Sequence, residues 1–177
     1  MAKDGTARGG PRPGTGPKRK PLVEKLEAGN LEGATVFPIP DDLEGWDMPP
    51  VKEYMKARQK NGKDLVAPQI YKETWEWLKA RNCEKIVNPQ LLEEYAMAVS
   101  RWIQCEDAIS EFGFLAKHPT TGMATTSPYV NMAQNFQKQM NNAWYQIYQI
   151  VRENCSVAYS GPNPQDNVME MLLSRKS

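Results

Sequence analysis

Three kinds of side chain in this sequence could do chemistry: paired carboxylates, cysteines and a single histidine. Glu93-Glu94 and Glu106-Asp107 have the composition of general acid–base pairs. They fall, however, on the polar side of an amphipathic helical pattern, where isolated carboxylates keep ordinary pKa values and a solvated face explains them. Cys83, Cys105 and Cys155 form an odd set at wide spacing, which suits neither a disulfide framework nor a zinc site. Buried thiols in a reducing cytosol are the reading that follows. His118 sits in Lys117-His118-Pro119, a turn-like context without a Ser or Cys nucleophile pattern, and reads as a loop residue. Gly9 and Gly14 have the spacing of a phosphate loop, but Thr15 stands where Lys is required. Gly14-Thr15-Gly16-Pro17 lacks the strand before it and the long helix after it that a dinucleotide site needs. No catalytic residue, metal site or cofactor is therefore expected.

The basic residues form a stronger lead. Within residues 1–21, Lys3, Arg8, Arg12, Lys18, Arg19 and Lys20 face only Asp4, a local charge of +5 on a chain whose total is +1. Gly and Pro interrupt them, and nothing apolar beyond Met1 and the alanines is present to offset the entropy of ordering, so residues 1–21 read as a flexible arm. Clustered Lys and Arg of this kind suit sequence-tolerant, salt-sensitive phosphate contacts. The competing reading is a solubilising tail.

The elements that must position these groups are mainly helical. Pro21 stands where a first-turn proline belongs, with Leu22, Val23 and Leu26 behind it and Gly29-Asn30 as a stop. Residues 31–50 carry four prolines and the acidic cluster Asp41, Asp42, Glu44 and Asp47, an extended linker anchored by Phe37, Ile39 and Trp46. The body begins near residue 51. Residues 68–81 place Ile70, Tyr71, Thr74, Trp75, Trp77 and Leu78 at helical spacing. Asn88-Pro89 opens a second helix over 89–112, with a stripe of Leu91, Leu92, Tyr95, Val99, Trp102, Ile109 and Phe112, and Gly113 ends it. Ser127-Pro128 opens a third, through residue 154, with Tyr129, Met132, Ala133, Phe136, Met140, Ala143, Ile147 and Val151 as its stripe. At 1.5 Å per residue that helix is about 40 Å long. Phe114-Leu115 and Thr120 to Met123 suggest a small hairpin between the two.

The long third helix is unusual outside its stripe. From residue 131 to 149 its polar positions are Asn and Gln, and Lys138 is the only charge. Exposed helix faces usually carry Glu and Lys, whereas charge depletion marks the cores of interfaces. Trp102, Gln137, Asn141, Trp144, Tyr145 and Tyr148 are the residues expected to meet another subunit. After the Gly161-Pro162-Asn163-Pro164 break, Val168, Met169, Met171, Leu172 and Leu173 form a short apolar tail that either docks on a partner or folds back on its own domain.

These features give a mainly α protein: a helical domain with a central long helix pair, a small hairpin between them and a flexible basic N-terminal arm. The divisions are 1–21 (arm), 22–50 (short helix and acidic linker), 51–155 (helical oligomerisation core) and 156–177 (tail). With 40% hydrophobic and 24% charged residues, the composition excludes a collagen and a wholly disordered chain. No apolar run approaches the roughly 20 residues of a bilayer-spanning helix, and no secretory signal opens the chain, so no membrane partner is expected.

The order of features resembles that of tailed-phage terminase small subunits. Gly16-Pro17-Lys18-Arg19-Lys20-Pro21, then Leu22 to Leu26, then Glu27-Ala28-Gly29-Asn30 is similar to the opening of that family. The Trp-bearing helix, the helix with Tyr95, Trp102 and Ala108, the Gly113 turn, the hairpin and the Ser127-Pro128 start follow in the same order, so the resemblance covers about residues 16–155. The linker is longer and more acidic than the family pattern, and no clear helix-turn-helix is legible. The resemblance implies a non-enzymatic, ring-forming homo-oligomer in the host cytoplasm. It would bind double-stranded viral DNA and bring it to the large terminase subunit, which carries the ATPase and nuclease. On that basis Arg8, Arg12, Lys18, Arg19 and Lys20 would touch phosphates, the central helices would build the ring, and the tail would meet the large subunit. The alternatives are a dimeric DNA-binding regulator and a scaffold protein without DNA binding.

Overall fold

The structure is a computed structural model that describes residues 20–29, 47–60, 62–155 and 163–174. Arg8, Arg12, Lys18 and Arg19, the expected linker anchors Phe37, Ile39 and Trp46, and the side chains of Met169, Met171, Leu172 and Leu173 lie outside the described set.

The fold is mainly helical, as the residue spacing implies. Helix α1 spans Leu22–Glu27 and turns out at Gly29, whose φ of +66° is a backbone conformation that suits glycine. Pro21 caps it from outside rather than opening its first turn. A 3-10 turn at Glu53–Lys56 precedes α2 (Ala67–Lys79), α3 (Pro89–Phe112), the hairpin β1 (Leu115–Lys117) and β2 (Ala124–Thr126), then α4 (Pro128–Asn154) and α5 (Pro164–Ser174).

Helix α3 starts where its sequence says it should. The Asn88 side chain accepts a hydrogen bond from the Gln90 N–H at 2.9 Å, and Pro89 occupies the first turn, where a missing N–H costs nothing. Asn88→Ala is expected to lower stability by about 1 kcal/mol, seen as a lower urea midpoint with an unchanged slope. Gly113, at φ +83°, ends α3 and aims the chain into the hairpin. There Leu115 pairs with Thr126 and Lys117 with Ala124, and the Ser127 N–H donates to the Phe114 carbonyl at 2.8 Å. Ser127 supplies no side-chain cap to α4, so hairpin closure and Pro128 fix that start.

Helices α3 and α4 form the principal packing, with α2 laid on α3 and α5 on α2. The pair is antiparallel: Phe112, at the end of α3, stacks on Tyr129, at the start of α4, while Tyr95 near the start of α3 meets Trp144 far along α4. Three helices converge on one aromatic junction, where the Trp77 and Trp144 rings lie 5.1 Å apart and Tyr95 and Trp144 5.3 Å. The Arg81 guanidinium sits 3.9 Å over Trp77 and is anchored by its bond to the Trp77 carbonyl. Asn82, at φ +54°, then turns the chain so that Cys83 re-enters the core.

Ile70, Tyr71, Thr74, Trp75, Trp77 and Leu78 are all buried, as their spacing implies. The stripes of α3 and α4 hold along most of their length. They depart from expectation at Phe112, 61% exposed, and Met132, 39% exposed, which lie at the hairpin end of the helix pair, away from the junction that α2 completes.

The segment before α2 straps across α3. Met55 is fully buried, and the Tyr54 hydroxyl donates to the Glu93 carboxylate at 2.5 Å. That bond, followed by desolvation and the charge of Glu93, pushes the Tyr54 phenol up to about 12. The protonated phenol is the form the fold favours, so its contribution is complete below pH 10 and is lost as pH rises through 12. Tyr54→Phe is expected to cost about 1 kcal/mol at neutral pH, a modest figure because the pair is solvent-screened. The gap between the two proteins in urea unfolding should close between pH 10 and 12.

Candidate nucleic-acid and subunit interfaces

Of the arm residues expected to touch phosphate, Lys20 lies within the described structure. Its Nζ is 2.9 Å from Glu24 Oε1, one helical turn on, and its pKa is raised mainly by that hydrogen bond. The pair is solvent-exposed, so Lys20 remains charged and accessible although locally countered.

Four of the six residues expected at a subunit contact come together. Gln137, Asn141, Tyr145 and Tyr148 are all exposed along one flank of α4, because steps of three and four residues return to one side of a helix. Tyr145 is 61% and Tyr148 44% exposed, high values for tyrosines in mid-helix. The Tyr145 hydroxyl accepts a bond from Gln149, and Asn141 accepts one from Gln165 of α5, which borders the flank.

Trp144 and Trp102 take other places. Trp144 continues the buried line of Met140, Ile147 and Val151, and it is spent in the aromatic junction of its own chain. Trp102 is half-buried where the main core meets a smaller cluster of Cys105, Ile109 and Ala133. Val168 of the tail is also buried, packing into the main core of its own chain.

On the other side of α4's buried line lies a surface that the spacing did not disclose. Helices α3 and α4 flank a groove of about 530 Å³, floored by Met97, Ala98 and Ala143 and rimmed on α4 by Gln139, Asn142 and Gln146. It meets a second hollow of about 720 Å³ at Arg101 and Phe136, extending toward Phe112 and Tyr129. The available signal was the pair of small residues, Ala98 and Ala143, which leave depth between two otherwise bulky helices.

Several of the groups that could do chemistry have structural roles. Glu93 receives Tyr54, and His118 Nδ1 accepts the N–H groups of Thr120 and Thr121 at 3.3 Å each, holding the hairpin tip. All three cysteines are buried thiols. The Cys83 and Cys155 sulfurs both lie against the Arg81 carbonyl, at 3.3 and 3.5 Å. Desolvation, with Cys155 nearby, pushes the Cys83 thiol up to about 12. Among the described residues no group of three or more His, Cys, Asp or Glu converges as a metal site, and no described helix is long and apolar enough to cross a membrane.

Comparison with known proteins bears on the same region. Residues 67–146, from the start of α2 to Gln146 on the groove rim, match a family model described as phage terminase, small subunit. No curated protein and no solved structure matches the chain.

Proposed function

We propose, from the match of residues 67–146 to the phage terminase small-subunit family model, that the chain assembles into a ring that binds double-stranded viral DNA and delivers it to the large terminase subunit for genome packaging. The family match carries this reading: it supports a role in phage packaging, and it covers α2, α3 and α4 as far as Gln146, with Gln137, Asn141 and Tyr145 of the uncharged flank. The chain performs no catalysis of its own; the ATPase and nuclease belong to the large subunit, and the work is done in the host cytoplasm.

The labour divides along the chain. Arg8, Arg12, Lys18, Arg19 and Lys20 contact phosphates, with several arms on one assembly gaining by avidity. The flank of Gln137, Asn141, Tyr145 and Tyr148 joins subunits. Since Val168 is committed to its own core, the contact with the large subunit falls to the residues beyond it. The test is the solution mass by light scattering after size exclusion. A sharp mass many times 20.1 kDa, independent of concentration, is expected. A monomer or a dimer would overturn the ring and put a dimeric DNA-binding regulator in its place.

A further inference from the structure

A ring whose subunits all meet in the same way needs two different patches on each copy. One self-complementary patch closes as a pair, whereas two distinct patches propagate head to tail until the rotation closes. Helix α4 has such patches on opposite sides of its buried line. One is the projecting flank, with Tyr145 and Tyr148 standing out among amides; the other is recessed, the groove against α3.

We propose that these two surfaces are partners: Tyr145 and Tyr148 of one copy seat in the α3/α4 groove of the next. The inference rests on the ring reading and names the contact that makes it. Shape favours it, since a 530 Å³ groove has room for aromatic side chains and its floor of Met97, Ala98 and Ala143 is apolar. Charge favours it as well. The groove wall on α3 presents one acid, Glu94, and one base, Arg101, whose guanidinium is already bonded to Gln104 at 2.7 Å. A flank of phenols and amides can donate or accept toward either sign without burying an unpaired charge of its own. Tyrosine suits the place, because its ring fills an apolar floor while its hydroxyl reaches a polar rim. Amides stand on both sides of the seam, and Glu94 and Arg101 are the only charges in the groove's lining.

The test uses two full-length variants, each with one patch blocked by the same charge so that they cannot complement by ion pairing. The flank variant is Tyr145→Lys with Tyr148→Lys; the groove variant is Gln139→Lys with Gln146→Lys. All four positions are exposed, so far-UV dichroism should match the wild type and thermal unfolding should stay cooperative, with a midpoint lowered by the loss of assembly. Each variant alone should run at the mass of one chain, and an equimolar mixture should give a species of two chains and nothing larger. That mixture holds one intact flank and one intact groove, enough for a single contact.

A groove variant that retains the wild-type mass overturns the pairing while leaving assembly intact. A mixture that stays monomeric also overturns it, since the intact halves then do not recognise each other. A wild type that is itself a monomer removes the ring and this contact together. Should either double variant lose helicity, the single changes Tyr148→Lys and Gln139→Lys give the same readouts.

Discussion

Trp144→Ala is expected to destabilise the protomer by about 3–5 kcal/mol, a large part of the 5–15 kcal/mol that holds a typical domain together. The side chain is 8% exposed and touches both Trp77 of α2 and Tyr95 of α3, so its loss opens a cavity where three helices meet. Collapse cannot easily fill the gap, because the neighbouring rings are held from outside. Arg81 covers Trp77 and is tied to its carbonyl, and Tyr95 is fully buried in the middle of α3. The control is Lys138→Ala, an exposed position on the same helix outside both proposed contact surfaces. Unfolding should change there by no more than about 0.5 kcal/mol. Denaturant unfolding of both variants decides the matter. Equal losses would mean that the junction is not the keystone of the helix packing.

Deleting residues 1–19 should abolish most DNA binding and leave the assembly untouched. Five cationic side chains of the deleted arm, Lys3, Arg8, Arg12, Lys18 and Arg19, would be removed with it. If about five phosphates are neutralised, affinity varies with salt at a log–log slope near −4.5, which is a loss of roughly 500-fold between 50 and 200 mM. The truncated chain should bind weakly at both salt levels and show a much flatter slope. Lys20 remains in it, but Glu24 sits 2.9 Å away and counters it. Binding to a labelled duplex across a salt series, with light scattering on the same samples, reads both quantities. Loss of the assembly on deletion would overturn the division of labour between arm and helices.

Local rules were legible where they act within one turn of helix. Asn88-Pro89, Gly113 and Pro128 set the ends of α3 and α4, and the apolar spacing of α2 identified its buried face apart from Ala67 at its start. The hairpin was visible for the same reason, in the interval between two strong helix boundaries. Three-body packing was not legible. Trp144 stands between Ala143 of the stripe and the exposed Tyr145, and only the approach of α2 and α3 reveals that its position on α4 points inward. Val168 is a similar case, since its burial depends on where α5 lies against α2, and no short-range spacing encodes that. The groove needed both helices in place before two alanines on different elements could make one hollow.

The two sulfurs gathered at the Arg81 carbonyl give the folded chain a built-in chemical clock. Thiol reagents attack the thiolate, and a Cys83 thiol held at about 12 and shielded from solvent yields almost none near neutral pH. Modification must therefore wait until the loop after α2 parts from the C-terminal end of α4. The rate of mass gain under excess maleimide becomes a direct record of how often that seam opens. Because Cys105 is buried as well, a new cysteine placed on the surface would react ahead of all three. A short labelling pulse can thus mark that site with the native thiols left in place.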